Sequence, residues 1–414
     1  MKKNPRLDWQ LAGICFSRAL CQAITMSYAA AIPVLQQEWD MTAARAGTIS
    51  SGFQIGYGLS LFVVSIAADR LGAKLIYLWS MLAAAVFSLA FALFAHDYLS
   101  GLVFHTLVAV ALGGSYTTGL MILADQYPVR ERGRATGFYI ASSSLGLVLS
   151  LALSGWAIPV GGYRLSFLSA ALCSVLGCVL VWITLARMQP APRGPLEGQG
   201  LRSEVLTNRP ALLLIGAYTC HCWELLGMWA WTPAFLAAYF TLRGMEGVGA
   251  AGVASYVTAA FHVAGIFASF WMGTLSDRLG RGRVILIASG VSTLCSLVFG
   301  WSIGWALIMV MLIGLLYAFA ALGDSPVLSV ALTEVVSPFY LGTAFGLRSF
   351  LGFGAGAISP VVFGAVLDWT NPQGQYVTWG WAFVTLGLPG LGTVWAAYRM
   401  SRGERRQYAG GSKE

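Results

Sequence analysis

Several ionisable side chains interrupt segments of the sequence that are otherwise apolar for about 20 residues. They are Arg18, His221, Glu224, His262, Asp324 and Arg348. Arginine keeps its positive charge at any working pH and presents a planar fork that matches a carboxylate. Glutamate, aspartate and histidine can exchange protons when they are buried. Two fixed cations beside two titratable acids therefore suggest a site that binds a small anion and takes up protons with it.

Polar companions of these residues recur at helical spacing, which places them on common helix faces. The stripes are Arg18, Gln22 and Thr25; Gln54 and Tyr57; His221, Glu224 and Met228; and Ser255, Thr258 and His262. Polar groups inside apolar helices are tolerated where they line a water-filled space. The pattern thus predicts a hydrated, charged chamber at the middle of these helices.

The composition indicates that these helices cross a membrane. Of the 414 residues, 57% are hydrophobic and 10% are charged, whereas soluble domains carry about 25% charged residues. Apolar runs of about 20 residues span a hydrocarbon core of ~30 Å as helices. We predict an all-α polytopic membrane protein with twelve spans, near residues 9–33, 45–68, 75–95, 101–124, 135–158, 164–187, 211–238, 251–274, 284–302, 305–330, 343–366 and 379–400.

The net charge of +8 reflects membrane topology rather than nucleic-acid binding. If the N-terminus is cytoplasmic, the Lys and Arg residues other than Arg18 and Arg348 divide into twenty on the cytoplasmic face and three on the other, a strong positive-inside bias. Both termini are therefore expected in the cytoplasm, and no cleavable signal peptide is recognised. A Pro- and Gly-containing linker, 188–210, would separate six-helix bundles at 1–187 and 211–400, with a cytoplasmic tail at 401–414.

A charged motif occurs twice between apolar runs. Asp69 to Gly72 in "ADRLGAK" returns 208 positions later as Asp277 to Gly280 in "SDRLGRGR". At an offset of 209, Asp125 also matches Glu334, and Gly133 and Gly137 match Gly342 and Gly346. Two parallel halves joined by a cytoplasmic linker are typical of secondary transporters. With these motifs, the chain resembles the major facilitator superfamily (MFS) over its whole length.

The resemblance implies roles for named residues. The duplicated motif resembles the family's cytoplasmic gate, which assigns gating to Asp69, Arg70, Arg134, Asp277, Arg278 and Glu334. In the family, spans 1, 4, 7 and 10 line the central cavity, and spans 2, 5, 8 and 11 flank it. Substrate binding would therefore use Arg18, Gln22, Gln54, Tyr57, Tyr139 and Arg348. Proton coupling would use His221, Glu224, His262 and Asp324.

Three departures from the family pattern accompany these roles. The first motif copy has Ser65 in place of its leading Gly, and the segment after Glu334 lacks a base, so Glu334 has no obvious partner. Glu224 stands where organophosphate carriers repeat the span-1 Arg, at an offset of 206 from Arg18. That acid disfavours a doubly charged phosphate ester as the substrate.

The sequence therefore favours a proton-coupled, alternating-access carrier of a small organic anion, with a carboxylate as the expected substrate. It would be a monomer in the bilayer of the bacterial inner membrane, with no enzymatic activity, cofactor, resident metal or nucleic-acid partner. The alternatives are an exporter of drugs or cationic metabolites, soft-metal uptake through His221, Glu224 and His262, and a transporter-like sensor. We expect Asp324 to be the resting ion-pair partner of Arg348; a purely structural role for that pair, or for an Arg18–Glu224 pair, is the other interpretation.

Overall fold

The structure of the chain is a computed structural model that describes residues 8–186, 188, 205–337 and 340–410. Within these ranges, the side chains of residues 65, 66, 69, 129, 130, 133, 342 and 403–410 lie outside the description. The described residues form helices and no strand. The helices are α1 Trp9–Gln22, α2 Ser27–Glu38, α3 Ala43–Leu71, α4 Ala73–Phe94, α5 Tyr98–Gln126, α6 Val129–Leu185, α7 Arg209–Thr241, α8 Gly247–Leu279, α9 Arg281–Phe299, α10 Leu307–Val335, α11 Leu341–Thr370 and α12 Gly380–Gly410.

Among the described residues, ten helical stretches are long and apolar enough to cross a membrane. One of them, residues 134–185, has 52 residues and would measure about 78 Å, more than twice the ~30 Å of a hydrocarbon core. The helical path of α6 breaks inside this stretch, at Gly161 and Gly162. Gly162 has φ +69°, which favours glycine because a Cβ is strained there. The predicted all-α polytopic class is confirmed; the count of twelve spans and the cytoplasmic termini stay predictions.

The described helices divide into two compact units. Unit 1 comprises residues 1–39, 52–196 and 246–259, and unit 2 comprises residues 40–51, 197–245 and 260–414. In unit 1, α1 packs along α6 and α4 packs along α5. In unit 2, α9 packs along α12 and α7 packs along α11. The predicted boundaries of the two six-helix bundles, at residues 187 and 211, remain a prediction.

The duplicated motif has the same backbone geometry in both copies. Gly72 precedes α4 with φ 89° and ψ 137°, and Gly280 precedes α9 with φ 92° and ψ 146°. Residues other than glycine rarely adopt a positive φ of this kind, because their Cβ atom is strained there. Each glycine thus ends one helix and starts the next within a single residue.

Candidate functional site

Arg18 lies in the interior of unit 1, on α1, and only 2% of its surface is exposed. Its Nε donates a hydrogen bond to the hydroxyl of Ser143 on α6 at 2.5 Å. Its Nη1 donates to the hydroxyl of Tyr139 at 2.9 Å and to that of Ser115 on α5 at 3.2 Å. Two neighbouring helices, α5 and α6, therefore hold the guanidinium through neutral oxygen atoms.

Aromatic rings also surround the Arg18 guanidinium, and together with the hydroxyl groups of Ser115, Tyr139 and Ser143 they form a cage around it. The guanidinium carbon lies 4.5 Å from the ring centre of Tyr139 and 5.1 Å from that of Tyr116, and Tyr57 forms a further side-chain hydrogen bond to it. Cation–π contacts of this kind are favourable but leave the net charge in place. No acidic side chain forms an ion pair with Arg18 in the described part of the chain. The cage therefore holds a buried positive charge without a counter-ion.

The predicted substrate residues of unit 1 fall into two groups. Tyr57 and Tyr139 contact Arg18, and the Tyr139 hydroxyl in turn donates to the backbone oxygen of Ser115 at 2.7 Å. Gln22 is buried and accepts a hydrogen bond from Thr25 at 3.0 Å, whereas Gln54 is half-buried on α3. Ser115 and Ser143 could not be recognised from the sequence, because serines are frequent in these apolar helices and carry no signal of their own.

Arg348 of α11 lies in a comparable aromatic setting in unit 2. Its guanidinium carbon is 4.0 Å from the ring centre of Tyr218 and 4.6 Å from that of Phe345. Its Nη1 donates to the hydroxyl of Ser329 on α10 at 2.7 Å. The Nε atom is buried and has no hydrogen-bond partner among the described residues, so one donor of the fork is left for another acceptor.

The expected ion pair between Arg348 and Asp324 is wrong. Asp324 is buried, and its Oδ1 lies 3.0 Å from Nδ1 of His221 on α7. Arg348 reaches instead to Ser329, five residues further along α10 than Asp324 and so about 7.5 Å along the helix axis. Stacking on Tyr218 fixes the guanidinium at that level. Unit 2 therefore keeps its acid–histidine pair apart from its arginine.

Glu224 points into the interior of unit 2 and has only 5% of its surface exposed. Ser292 of α9 donates a hydrogen bond to its Oε1 at 2.7 Å. A Cβ at Gly390 of α12 would lie 2.9 Å from Oε2. Glycine at that position thus makes room for the carboxyl group.

The residues of the soft-metal alternative do not converge. His221 faces Asp324, while Glu224 faces Ser292. The third, His262 on α8, is buried with its ring centre 5.3 Å from that of Trp229. Across the described ranges, no group of three His, Cys, Asp or Glu side chains has the geometry of a metal site.

At the second motif copy, Arg281 joins the charged residues. Its Nη1 lies 2.6 Å from Oδ1 of Asp277, and its Nη2 lies 3.1 Å from Oε1 of Glu334 on α10. The Ser276 hydroxyl accepts a further hydrogen bond from Nη1 at 2.5 Å. The expectation that Glu334 lacks a partner was therefore wrong. The motif itself supplies the base, a contact that the linear sequence hides because α9 and α10 meet only in the fold.

The other predicted gating residues make fewer contacts. Arg70 and Arg278 are exposed at the ends of α3 and α8. Arg134 is exposed, with its guanidinium 5.6 Å from the ring centre of Phe138. The side chain of Asp69 lies outside the described residues. Only the second motif copy thus shows a charged network in the described part of the chain.

Comparison with known proteins gives a family match over most of the sequence. The family model described as Major Facilitator Superfamily matches residues 14–255. The gallate transporter of Pseudomonas putida is 26% identical over 316 residues, which cover 70% of each chain. The hexuronate transporter of Bacillus subtilis is 24% identical over 356 residues, covering 82% of this chain and 83% of the relative.

Solved structures agree on the fold. The inward-facing, unoccupied crystal structure of a bacterial homolog of the human lysosomal transporter Spinster superposes with a TM-score of 0.76. It shares 16% sequence identity and covers 96% of both chains. At this level of identity the similarity concerns the arrangement of the helices alone.

Proposed function

This chain belongs to the Major Facilitator Superfamily of membrane transporters, and we propose that it moves a small organic anion across the inner membrane of a bacterium by proton-coupled alternating access. A carboxylate is the expected charged group. The proposal assigns anion recognition to Arg18 and Arg348 and proton exchange to Glu224 and the His221–Asp324 pair. Gating is assigned to the Arg281 network.

The observation that carries the proposal is the uncompensated charge of Arg18. A buried guanidinium is costly inside a membrane protein unless it meets a counter-charge or serves a function. Here hydroxyl groups and aromatic rings surround it. Charge-assisted hydrogen bonds to a carboxylate are roughly twice as strong as those to neutral oxygens. An organic anion therefore gains more from this cage than a neutral or cationic solute does.

The relatives support the same substrate class. Those reported above are named for gallate and hexuronate, and a further relative from Cupriavidus necator, 24% identical over 405 residues, is named a probable sulfoacetate transporter. Each of these names is that of an acid in its anionic form. They favour an organic anion over the cationic drugs of the alternative exporter.

The chemistry of unit 2 supports the proposed proton coupling. Glu224 and Asp324 are both buried, and each contacts a group that can stay in place in either protonation state, a hydroxyl for Glu224 and an imidazole for Asp324. Buried carboxyl groups exchange protons when the local charge changes. An anion that binds to Arg348 adds negative charge to unit 2, and this charge favours the protonated form of Glu224 or Asp324. Substrate binding and proton binding are then linked reciprocally.

A transport assay with purified protein in liposomes tests the proposal. Vesicles loaded with benzoate, lactate or glucuronate would be assayed for counterflow, and then for uptake driven by an inward pH gradient. We expect an anion to be exchanged by the wild type and not by Arg18→Met, and we expect an acidic exterior to drive its accumulation. Transport of cations instead of anions, or unchanged anion transport by Arg18→Met, would overturn the proposal.

A further inference from the structure

An open cavity of about 470 Å³ lies in unit 1, where α4 ends and the helical path of α6 breaks. Leu93 and His96 line it from the end of α4, and Arg164, Leu165 and Leu168 line it from the part of α6 that follows the break. Gly161, one of the two non-helical residues of the break, lies at its wall. Cavities of about 300 to 1,000 Å³ accommodate small ligands and cofactors. This cavity is therefore large enough for a molecular group of that size.

Arg164 brings a positive charge to this cavity. Its Nε lies 3.4 Å from the hydroxyl oxygen of Tyr163, and its guanidinium carbon lies 5.9 Å from the centre of that ring. The side chain is exposed, and it forms no ion pair with an acid in the part of the chain that the structure describes. His96, also exposed, lines the same cavity. The outer nitrogens of the guanidinium fork and the imidazole can therefore donate to one anion.

Two acidic side chains lie near the cavity, and neither occupies the fork of Arg164. Asp97 follows His96, but its Oδ1 accepts from the backbone nitrogen and the hydroxyl of Ser100, each at 2.7 Å, at the start of α5. Glu38 of α2 attracts Arg164 electrostatically without an ion-pair contact. Because the energy between two charges falls with their separation, an anion in contact with the fork gains more from Arg164 than it loses to these more distant acids.

Apolar side chains continue from the cavity along the surface of α6. Leu165 and Leu168 line the cavity, and Leu172 and Leu176 follow with 50% and 61% of their surface exposed. Residues spaced three or four apart form one stripe on a helix, and hydrocarbon tails are as apolar as leucine. This leucine stripe (Leu165, Leu168, Leu172 and Leu176) therefore suits an acyl chain that begins at the cavity, a part that a small soluble anion lacks.

We propose that this cavity binds the headgroup of an anionic phospholipid, with the phosphate on Arg164 and His96 and one acyl chain along the leucine stripe of α6. A guanidinium fork matches phosphate oxygens, and basic pockets at the ends of membrane helices recognise anionic headgroups by this chemistry. The lipid site shares no residue with the cage of Arg18. It is a second binding function of unit 1, separate from the proposed transport of an organic anion.

Native mass spectrometry of the purified full-length protein in detergent tests the inference. The protein would be titrated with dioleoylphosphatidylglycerol and with dioleoylphosphatidylcholine, which share their acyl chains and differ in the net charge of the headgroup. We expect the wild type to bind the anionic lipid about tenfold more tightly, the worth of one hydrogen bond to a charged group. Arg164→Gln keeps a hydrogen-bond donor but removes the charge, and should reduce this preference to about twofold or less. Because Arg164 is exposed, this variant should keep the melting temperature of the wild type.

Matched controls separate a lipid site from a general effect of surface charge. Arg45 is an exposed base at the start of α3 that does not line the cavity, so Arg45→Gln should keep the full preference. Leu168→Asn places a polar group in the leucine stripe and should weaken the binding of both lipids to a similar extent. Glycerol phosphate, which has the phosphate without acyl chains, should not displace the anionic lipid at equal concentration.

Three results would overturn the inference. They are equal binding of the two lipids by the wild type, a full preference in Arg164→Gln, and an equal loss of preference in Arg45→Gln and Arg164→Gln. Displacement by glycerol phosphate would overturn the lipid assignment by showing a site for a soluble anion. None of these results bears on the transport assay, because the titrated cavity and the cage of Arg18 have no residue in common.

Discussion

Arg18 in unit 1 and Arg348 in unit 2 are both guanidinium groups that stack on tyrosine rings and bond to serine hydroxyls. Their wider surroundings differ in charge. The cage of Arg18 contains no ion-paired acid among the described residues, whereas the unit of Arg348 also holds Glu224 and the His221–Asp324 pair. One unit therefore carries a fixed positive charge, and the other combines such a charge with groups that titrate.

This difference suggests a division of labour between the two units. The duplicated sequence positions 18 and 224 hold an arginine and a glutamate, so the halves have diverged in charge at the same point of the repeat. A fixed cation holds an anion at any pH, while a carboxyl group changes charge with the protons available. Anion affinity should accordingly depend most on unit 1, and the response to a pH gradient on unit 2.

The largest effect is expected at Arg18. Arg18→Met should lower the affinity for the anion by about 100-fold, because an anion would then enter a buried cage without its counter-charge. The same variant should keep or raise the melting temperature, since it removes a buried charge that lacks an ionic partner. Arg18→Lys, which retains the charge but not the fork, is the matched control. Its affinity for the anion should lie between those of the wild type and Arg18→Met. A destabilised Arg18→Met with normal affinity would show the arginine to be structural.

Glu224→Gln should separate proton coupling from binding. The amide keeps an oxygen for the Ser292 hydrogen bond but carries no titratable proton. Uptake driven by a pH gradient should fall about tenfold, a typical coupling free energy between two sites, while counterflow, which needs no net proton movement, should stay within about twofold of the wild type.

Ser292→Ala is the control for this change, because it removes the hydroxyl partner and leaves the acid in place. We expect it to retain most of the gradient-driven uptake. If Glu224→Gln still accumulates the anion in response to a pH gradient, Glu224 does not couple transport to protons, and the proposed division of labour between the units is wrong for this residue.

Arg348→Lys should have an intermediate effect. Lysine keeps the charge but loses both the fork and the flat stacking on Tyr218, so affinity should fall about tenfold. Ser329→Ala removes the hydroxyl that the guanidinium contacts and should weaken binding less. Titration of the purified variants measures both. A larger loss of affinity in Arg348→Lys than in Arg18→Lys would argue against a dominant role for unit 1.

Arg281→Ala should slow transport without changing affinity. The variant loses the contacts to both Asp277 and Glu334, whereas Asp277→Asn keeps the bond between Arg281 and Glu334. Because the two acids are largely exposed and such ion pairs are weak, we expect rates to fall about fivefold in Arg281→Ala and about twofold in Asp277→Asn. Initial rates at saturating substrate test the order. A large change in equilibrium affinity would contradict the gating role.

The smallest effect concerns a helix start at which the two halves also differ. Asp97 caps α5 through Ser100, while the matching position before α10, Ala306, offers no side-chain cap. Hydrogen bonds from the Ser100 side chain and backbone lower the pKa of Asp97. The cap therefore stabilises the fold above the unfolded-state pKa and loses this contribution as the pH falls through the lowered value.

Asp97→Asn retains a capping oxygen that does not titrate in this range. Between pH 5 and pH 3, the melting temperature of the wild type should thus fall slightly more than that of Asp97→Asn. Identical pH profiles would show that the cap is unimportant to the stability of unit 1.

The helices and the buried ionisable groups could be predicted from the sequence. Long apolar runs dictate membrane helices, since a spanning backbone must satisfy its own hydrogen bonds. A charge inside such a run is conspicuous, and Arg18, His221, Glu224, His262 and Asp324 are all buried. The motif repeat was also visible in the sequence, and its two copies place Gly72 and Gly280 in turns with nearly the same dihedral angles.

The partners of these groups were decided by the tertiary structure alone. Spacing along one helix fixes the face on which a side chain lies, but not the helix that packs against that face or the level at which the two meet. Asp324 therefore contacts His221 rather than Arg348, and Arg281 joins Asp277 to Glu334. The serines that bind Arg18 and Glu224 are ordinary residues in sequence. Only the packing of α5, α6 and α9 brings their hydroxyls to a buried ionisable group.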